Sequence, residues 1–274
     1  MVALPYQLTK TLLCAINEIQ GISGVDPQYL TNTTLNYKHG VSPDDIPSEP
    51  PKIAYFGIGI NGFKNLNDQN LAAPFIPSAA DMDLYEPIPF RVVPIDNDIT
   101  VTERSNYRIR VLKTIGGAQY WCYYLKKLDI IDNKVKIMET DLTDGSEIEL
   151  TTLDPNNLTP TPMNTSAEGV SESSKEISVA LTANMTITGE EVVEAINVLY
   201  SGNLLKAKIS EVGIYSGLDK SIVGSDGIGG TFNYTESILT QLCYHYTNLG
   251  NDFSDPSRIE TIRLRINSAS AFLL

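Results

Sequence analysis

Three cysteines, two histidines and one tryptophan are all that 274 residues offer of the side chains on which much metal and hydrolytic chemistry depends. Cys14, Cys122 and Cys243 lie far apart, cannot all pair within one chain and show no C-x-x-C spacing, which excludes a disulfide framework or a zinc ribbon and points to assembly in a reducing compartment. His39 falls in a polar stretch and His245 at the edge of an apolar stripe, so both read as boundary histidines. Gly224-Ser225-Asp226-Gly227 lacks the G-x-S-x-G pattern, and no hydrolase triad is expected. A Lys/Arg run is also missing, and at a formal net charge of -13 with pI near 4.6 the mean field repels a phosphate backbone. Direct nucleic-acid binding is not expected. No apolar run approaches the ~20 residues of a membrane span. Met1 to Leu13 has neither a basic n-region nor a small-residue cleavage site, so it is read as part of a helix and not as a signal peptide.

What is present is alternation. From Glu176 to Ile187, the apolar Ile177, Val179, Leu181, Ala183, Met185 and Ile187 alternate with Ser178, Ala180, Thr182, Asn184 and Thr186, the period of a strand with one buried face. At roughly 1.5 to 3 kcal/mol per buried large aliphatic, that face contributes on the order of 10 kcal/mol before chain entropy opposes it. Lys52 to Ile60 reads as a strand. Tyr107 to Val111 and Tyr120 to Leu128 read as a hairpin turned at Gly116-Gly117, with Ile130 to Met138 and Ile148 to Leu153 extending it.

Three helices are expected: Tyr6 to Gln20 with Leu8, Leu12, Leu13, Ile16 and Ile19 on one side and Cys14 opposite, hence exposed or at an interface; a helix after the capping box Thr188-x-x-Glu191; and Glu236 to Asn248 with the stripe Ile238, Leu239, Leu242, Tyr246 and Leu249. Leu204 to Tyr215 and Ile259 to Asn267 read as strands, and Gly217 to Gly230 as a loop. The fold class is α+β: a β-rich body, sandwich or barrel-like, with about three helices and long proline-rich extended arms. The expected division is a helix and arm over 1–52, a β-rich part over 53–153, a linker or exposed loop over 154–175, and a β-α-β-α-β part over 176–274 joined to 53–153 as one body.

The arms, Gly40 to Pro51 and Phe75 to Asp98, are rich in proline yet carry Ile88, Phe90 and Val92, apolar surface that a central strand of their own sheet cannot absorb. The chain closes on Ala271-Phe272-Leu273-Leu274, although free termini are ordinarily polar. Ile88, Phe90, Val92, Phe272, Leu273 and Leu274 are therefore the candidate interface residues.

No catalytic, cofactor or metal residue is assigned. Gly57-Ile58-Gly59-Ile60-Asn61-Gly62 matches G-x-G-x-x-G, but the Asn-rich Phe63 to Asn70 does not read as the helix that this motif must open. Asp141, Asp144, Glu147 and Glu149, and likewise Asp81, Asp83 and Glu86, lack the twelve-residue calcium loop and read as solvated turns.

Several stretches together resemble a known class: Tyr55-Phe56-Gly57-Ile58-Gly59, Pro87 to Arg110, Tyr123 to Leu128 and Ile209 to Gly217. They resemble virion structural proteins of tailed, particularly contractile-tailed, bacteriophages over Ile53 to Asn267. The resemblance implies a non-enzymatic ring subunit of the neck or tail (connector, collar or tail-completion type) that assembles in the host cytoplasm and joins copies of itself and other virion proteins. It carries no functional residue. Two other readings stay open: a baseplate subunit or receptor- or carbohydrate-binding module, which requires glycan binding by the isolated protein, and a cell-wall-degrading enzyme, which requires clearing in a zymogram.

Overall fold

The computed structural model describes residues 8–26, 29–41, 49–66, 71–141, 143–151, 175–225 and 230–272. The fold is α+β with a β-rich body, and the described residues are 53% strand and 18% helix with four α-helices. In chain order the elements are β1 (Thr9–Lys10), α1 (Leu12–Ser23), α2 (Leu35–Lys38), β2 (Lys52–Gly59), β3 (Phe63–Leu66), β4 (Leu71–Pro74), β5 (Pro87–Ile88), β6 (Arg91–Pro94), α3 (Val101–Arg104), β7 (Tyr107–Ile115) and β8 (Ala118–Lys127). There follow β9 (Asp129–Ile130), β10 (Lys136–Asp141), β11 (Glu147–Leu150), β12 (Lys175–Thr188), α4 (Gly189–Leu199), β13 (Lys208–Ser225), β14 (Thr231–Asp252) and β15 (Ile259–Phe272). The chain forms two compact units, Met1–Leu128 with Ile187–Glu260 and Asp129–Thr186 with Thr261–Leu274. That division replaces the one drawn from sequence, because the strands of 129–186 and 261–274 pair among themselves. The expected linker, 154–175, lies outside the described residues except for Lys175.

In the first unit one sheet runs β1-β14-β13-β2-β8-β6, with β5 beside β2 and β7 beside β8. Its spine is the antiparallel hairpin of β13 and β14, 18 and 22 residues long. The helix expected over Glu236 to Asn248 is thus a strand. Its apolar residues match a helical stripe, yet Ser237 through His245 are all buried, the continuous pattern of a strand covered on both faces, which periodicity alone does not separate from a helix. The expected Gly217 to Gly230 loop is likewise strand as far as Ser225. Gly217 serves the sheet, since a Cβ there would stand 2.5 Å from the Tyr55 ring. Tyr55, Val92, Ile109, Cys122, Tyr124, Leu125, Tyr215 and Leu242 gather in one core cluster.

The proline-rich arm is the second correction. Ile88, Phe90 and Val92 are 0%, 0% and 3% exposed, so they belong to this chain's own core and not to an interface. Pro87, Pro89 and Pro94 bracket strands of two and four residues, short enough that each proline sits at an edge or end. Ile88 then pairs with Ile58 and Val92 with Cys122. Of the other candidates, Leu273 and Leu274 lie outside the described residues, as does the side chain of Phe272. The same holds for 42–48 of the first arm.

Helix α1 starts six residues later than expected, because Thr9 and Lys10 pair with His245 and Tyr244 and Thr11 caps the helix through Cys14 N–H at 3.2 Å. It ends at Gly24, whose φ of 65° suits the left-handed cap. Leu13 and Cys14 face inward, and the expected exposure of Cys14 is corrected to full burial.

In the second unit the order is β11-β10-β12-β15, with β9 also on β12. On β12 the covered side changes along the strand. Ser178 and Ala180 are buried where β10 pairs, Ala183 and Met185 further along where β9 pairs, and Ile177, Val179 and Leu181 stay half-buried. The single buried face read from the alternation therefore holds only from Ala183 onward.

Candidate functional site

A buried carboxylate on the hairpin organises the densest group of titratable side chains. Glu211 on β13 is 0% exposed, and its oxygens accept the backbone N–H groups of Tyr85 at 2.6 Å, Asn61 at 2.8 Å and Glu86 at 3.2 Å. Three backbone N–H donors satisfy the buried carboxyl group. Register places His245 of β14 opposite Gly213, on the diagonal from Glu211, close enough for long side chains to meet. The imidazole, also 0% exposed, sets Nδ1 2.8 Å from Asp81 Oδ2 and Nε2 3.4 Å from Glu211 Oε2. The second contact lacks hydrogen-bond alignment and acts as an ion pair. Burial pulls the His245 pKa down, but the neighbouring carboxylates of Glu211 and Asp81 outweigh it and raise the value. Asp81 Oδ2 also accepts Ser78 N–H at 2.9 Å and Tyr85 O–H at 3.2 Å. Burial first, then Asp81, push the Tyr85 phenol up to about 12.

An aspartate on one imidazole nitrogen is half of a hydrolytic triad. The other half is missing here, since the second nitrogen meets a carboxylate and no nucleophilic hydroxyl. What the arrangement does chemically is hold an imidazolium between two carboxylates and so fasten the segment Ser78 to Glu86, and Asn61, to β13 and β14. Residue chemistry missed it because Asp81, Glu211 and His245 are distant in sequence. The signal available was one acid, Glu211, inside an otherwise apolar strand.

Two smaller clusters follow the same logic. Glu191 on α4 accepts Lys126 Nζ at 2.7 and 2.9 Å and Tyr107 O–H at 2.8 Å, and it closes the expected capping box with Thr188. Arg108 on β7, 3% exposed, grips Asp219 of β13 through Nε at 3.1 Å and Nη2 at 2.8 Å, while Arg104 pairs with Glu236 of β14. These two arginines clamp both strands of the hairpin at one level.

The sequence motifs take ordinary places. Gly57 and Gly59 lie within β2, and strand β3 follows where a dinucleotide motif needs a helix. Gly62 is there because a Cβ would fall 2.0 Å from Ser210 O. Asp83 accepts Tyr215 O–H and Glu86 accepts Tyr200 O–H, each at 2.8 Å. In the second unit Glu149 pairs with Lys134 and Lys136, and Glu147 with Arg265. Among the described residues no group of three or more His, Cys, Asp or Glu is placed to hold a metal ion. His39 stacks on Tyr124 at 4.5 Å, and burial lowers its pKa to about 4. The neighbouring Cys14 thiol lowers the pKa of the buried Cys243. Burial pushes the Cys122 thiol up to about 11.

No curated protein matches this chain, and no solved structure does. A family model described as a family of unknown function (DUF7208) matches residues 4–267. With nearly its whole length matched, the chain belongs to that family.

Proposed function

We propose that this chain is a non-enzymatic structural subunit of a tailed-phage particle, forming a ring in the neck or tail with copies of itself and joining adjacent rings. The observation that carries the reading is the orientation of α1. It docks on the sheet through the buried Leu13 and Cys14 and through polar groups: Asn17 Nδ2 donates to Ser216 Oγ at 3.2 Å and Gln241 Oε1 at 3.0 Å, and Thr11 donates to the carbonyls of Cys243 and Leu242 at 2.9 and 2.6 Å. Leu12, Ile19 and Ile22 face water instead, 59%, 66% and 89% exposed, a seven-and-three spacing that makes one stripe. A helix of an isolated globular protein turns the other way. A stripe exposed in the free chain suits a subunit whose neighbours cover it.

The use of charge supports the same reading. Asp81, Glu211, His245, Glu191, Arg108 and Asp219 fasten one strand or arm to another, which gives a rigid body without engaging a ligand. The acidic surface opposes association until salt screens it, since the Debye length falls to about 10 Å at 0.1 M. Mass spectrometry of purified particles tests the reading: the chain is expected in ring stoichiometry, and particles that lack it overturn the proposal. Glycan binding or zymogram clearing by the isolated protein would favour the other two readings.

A further inference from the structure

The two long strands of the hairpin outlast their neighbours. β2 accompanies β13 only over Glu211 to Gly217, and β1 accompanies β14 only at Tyr244 and His245. Beyond the level of the Arg108–Asp219 and Arg104–Glu236 clamps, Ser221–Ser225 and Thr231–Thr235 have only each other among the described strands. A two-stranded ribbon in water is marginal by itself.

Its edges also lack protection. Exposed edges are normally blunted by lysine, proline, inward charge or a bulge, because a row of open N–H and C=O groups templates another strand. Ser221-Ile222-Val223-Gly224-Ser225 and Thr231-Phe232-Asn233-Tyr234-Thr235 hold no charged residue and no proline. Pairing is regular from Ser221↔Thr235 to Ser225↔Thr231, and the last bulge lies back at Leu218/Asp219. Ile222, Val223, Thr231, Phe232, Tyr234 and Thr235 are strand formers, and Phe232 and Tyr234, 5.8 Å apart, share a face with Ile222. Gly224 leaves the space that the Phe232 ring covers, since a Cβ there would stand 2.7 Å from Phe232 Cζ.

We infer that this ribbon is completed by strand addition from a second copy of the chain. The ribbon selects that occupant, because its two outer edges, Ser221–Ser225 and Thr231–Thr235, are equal in length and regularly paired, so the edge of one strand fits the edge of the other on a second copy. Two copies at -13 each repel, and the ribbon is an uncharged stretch through which they approach without opposing carboxylates. Length agrees, because five residues at about 3.3 Å each give roughly 17 Å, an ordinary strand. The clamped base holds the edge in place beforehand, which reduces the ordering cost of binding. The β13 edge of one copy on the β14 edge of the next is a heterologous contact, and repetition by rotation closes it into a ring. The inference rests on the ring reading and names its surface.

The test uses the full-length chain, with light scattering at rising concentration and salt and amide hydrogen exchange by mass spectrometry in dilute and associated samples. Association is expected, with exchange across 221–225 and 231–235 slowed at least about tenfold in the associated state. Val223→Lys should weaken association by at least about tenfold, a decade in Kd, while Val223→Thr, neutral and strand-forming, should retain it. Association with unchanged ribbon exchange overturns this inference and leaves the ring reading standing. A chain that stays monomeric at every salt and concentration overturns both. Should Val223→Lys lower the melting point, the wild-type exchange comparison decides.

Discussion

The lower and upper halves of one hairpin are built from much the same residues and meet opposite fates. Between Glu211 and Leu218, and between Ser237 and His245, every residue is buried. A few positions along, Val223 is 68% exposed. Glycine, tyrosine, threonine and β-branched residues occur in both halves, so composition does not set the difference. Neighbours do: β2, α1, α2 and the Ser78 to Glu86 segment cover the lower half, and the upper half has, among the described strands, only its own two, with Arg104 over the Tyr234 ring at their base. Strand character is thus a tertiary matter here. The upper half is the part that another chain can still complete.

The sharpest way to break that contrast is to remove the acid at the centre of the lower half. Glu211→Ala leaves three backbone N–H groups and the His245 cation without their partner, and the expected loss is about 3 to 5 kcal/mol in urea melts. A loss under about 1 kcal/mol would show that the cluster fastens nothing. Next comes Leu242→Ala at a residue 0% exposed, expected to cost about 2 to 5 kcal/mol, against well under 1 kcal/mol for Val223→Ala in the upper half. Similar costs at both positions would erase the comparison.

A smaller effect concerns pH. The folded pKa of His245 is raised above its ordinary 6.5, so the stability that the imidazolium contributes is complete below about pH 6.5 and is lost as pH rises through the folded value. The urea midpoint of the wild type should fall on that upward passage, and His245→Gln should lack that component. A midpoint that instead rises with pH in the wild type alone would mean that the imidazole is neutral in the native state.

Local chemistry was legible in the sequence and alignment between distant segments was not. Thr188-x-x-Glu191 gave the start of α4, and Gly116-Gly117 gave the β7–β8 turn, where φ values of 58° and 86° require glycine. The alternation around Met185 gave part of β12. By contrast, β14 hid behind its own burial, since a strand covered on both faces shows no period of two. The arm carrying Ile88 and Phe90 read as surface because prolines suggest it, whereas two- and four-residue strands fit between them. Of the Asp81–Glu211–His245 cluster the scarcity of histidine and the one acid in an otherwise apolar strand, Glu211, were visible, and their meeting was not. Its geometry depends on β13 and β14 being paired, which the helical reading of Glu236 to Asn248 excluded. For α1 the apolar stripe was seen and its direction was not, because periodicity says which residues share a face and not which face is covered.

The assembly reading depends most directly on that direction. One image of the assembled particle with this chain traced in it is the decisive measurement. The account predicts several copies about an axis, with Ile19 and Ile22 of every copy covered by a neighbouring subunit. Copies whose α1 stripe faces solvent throughout the particle would contradict it.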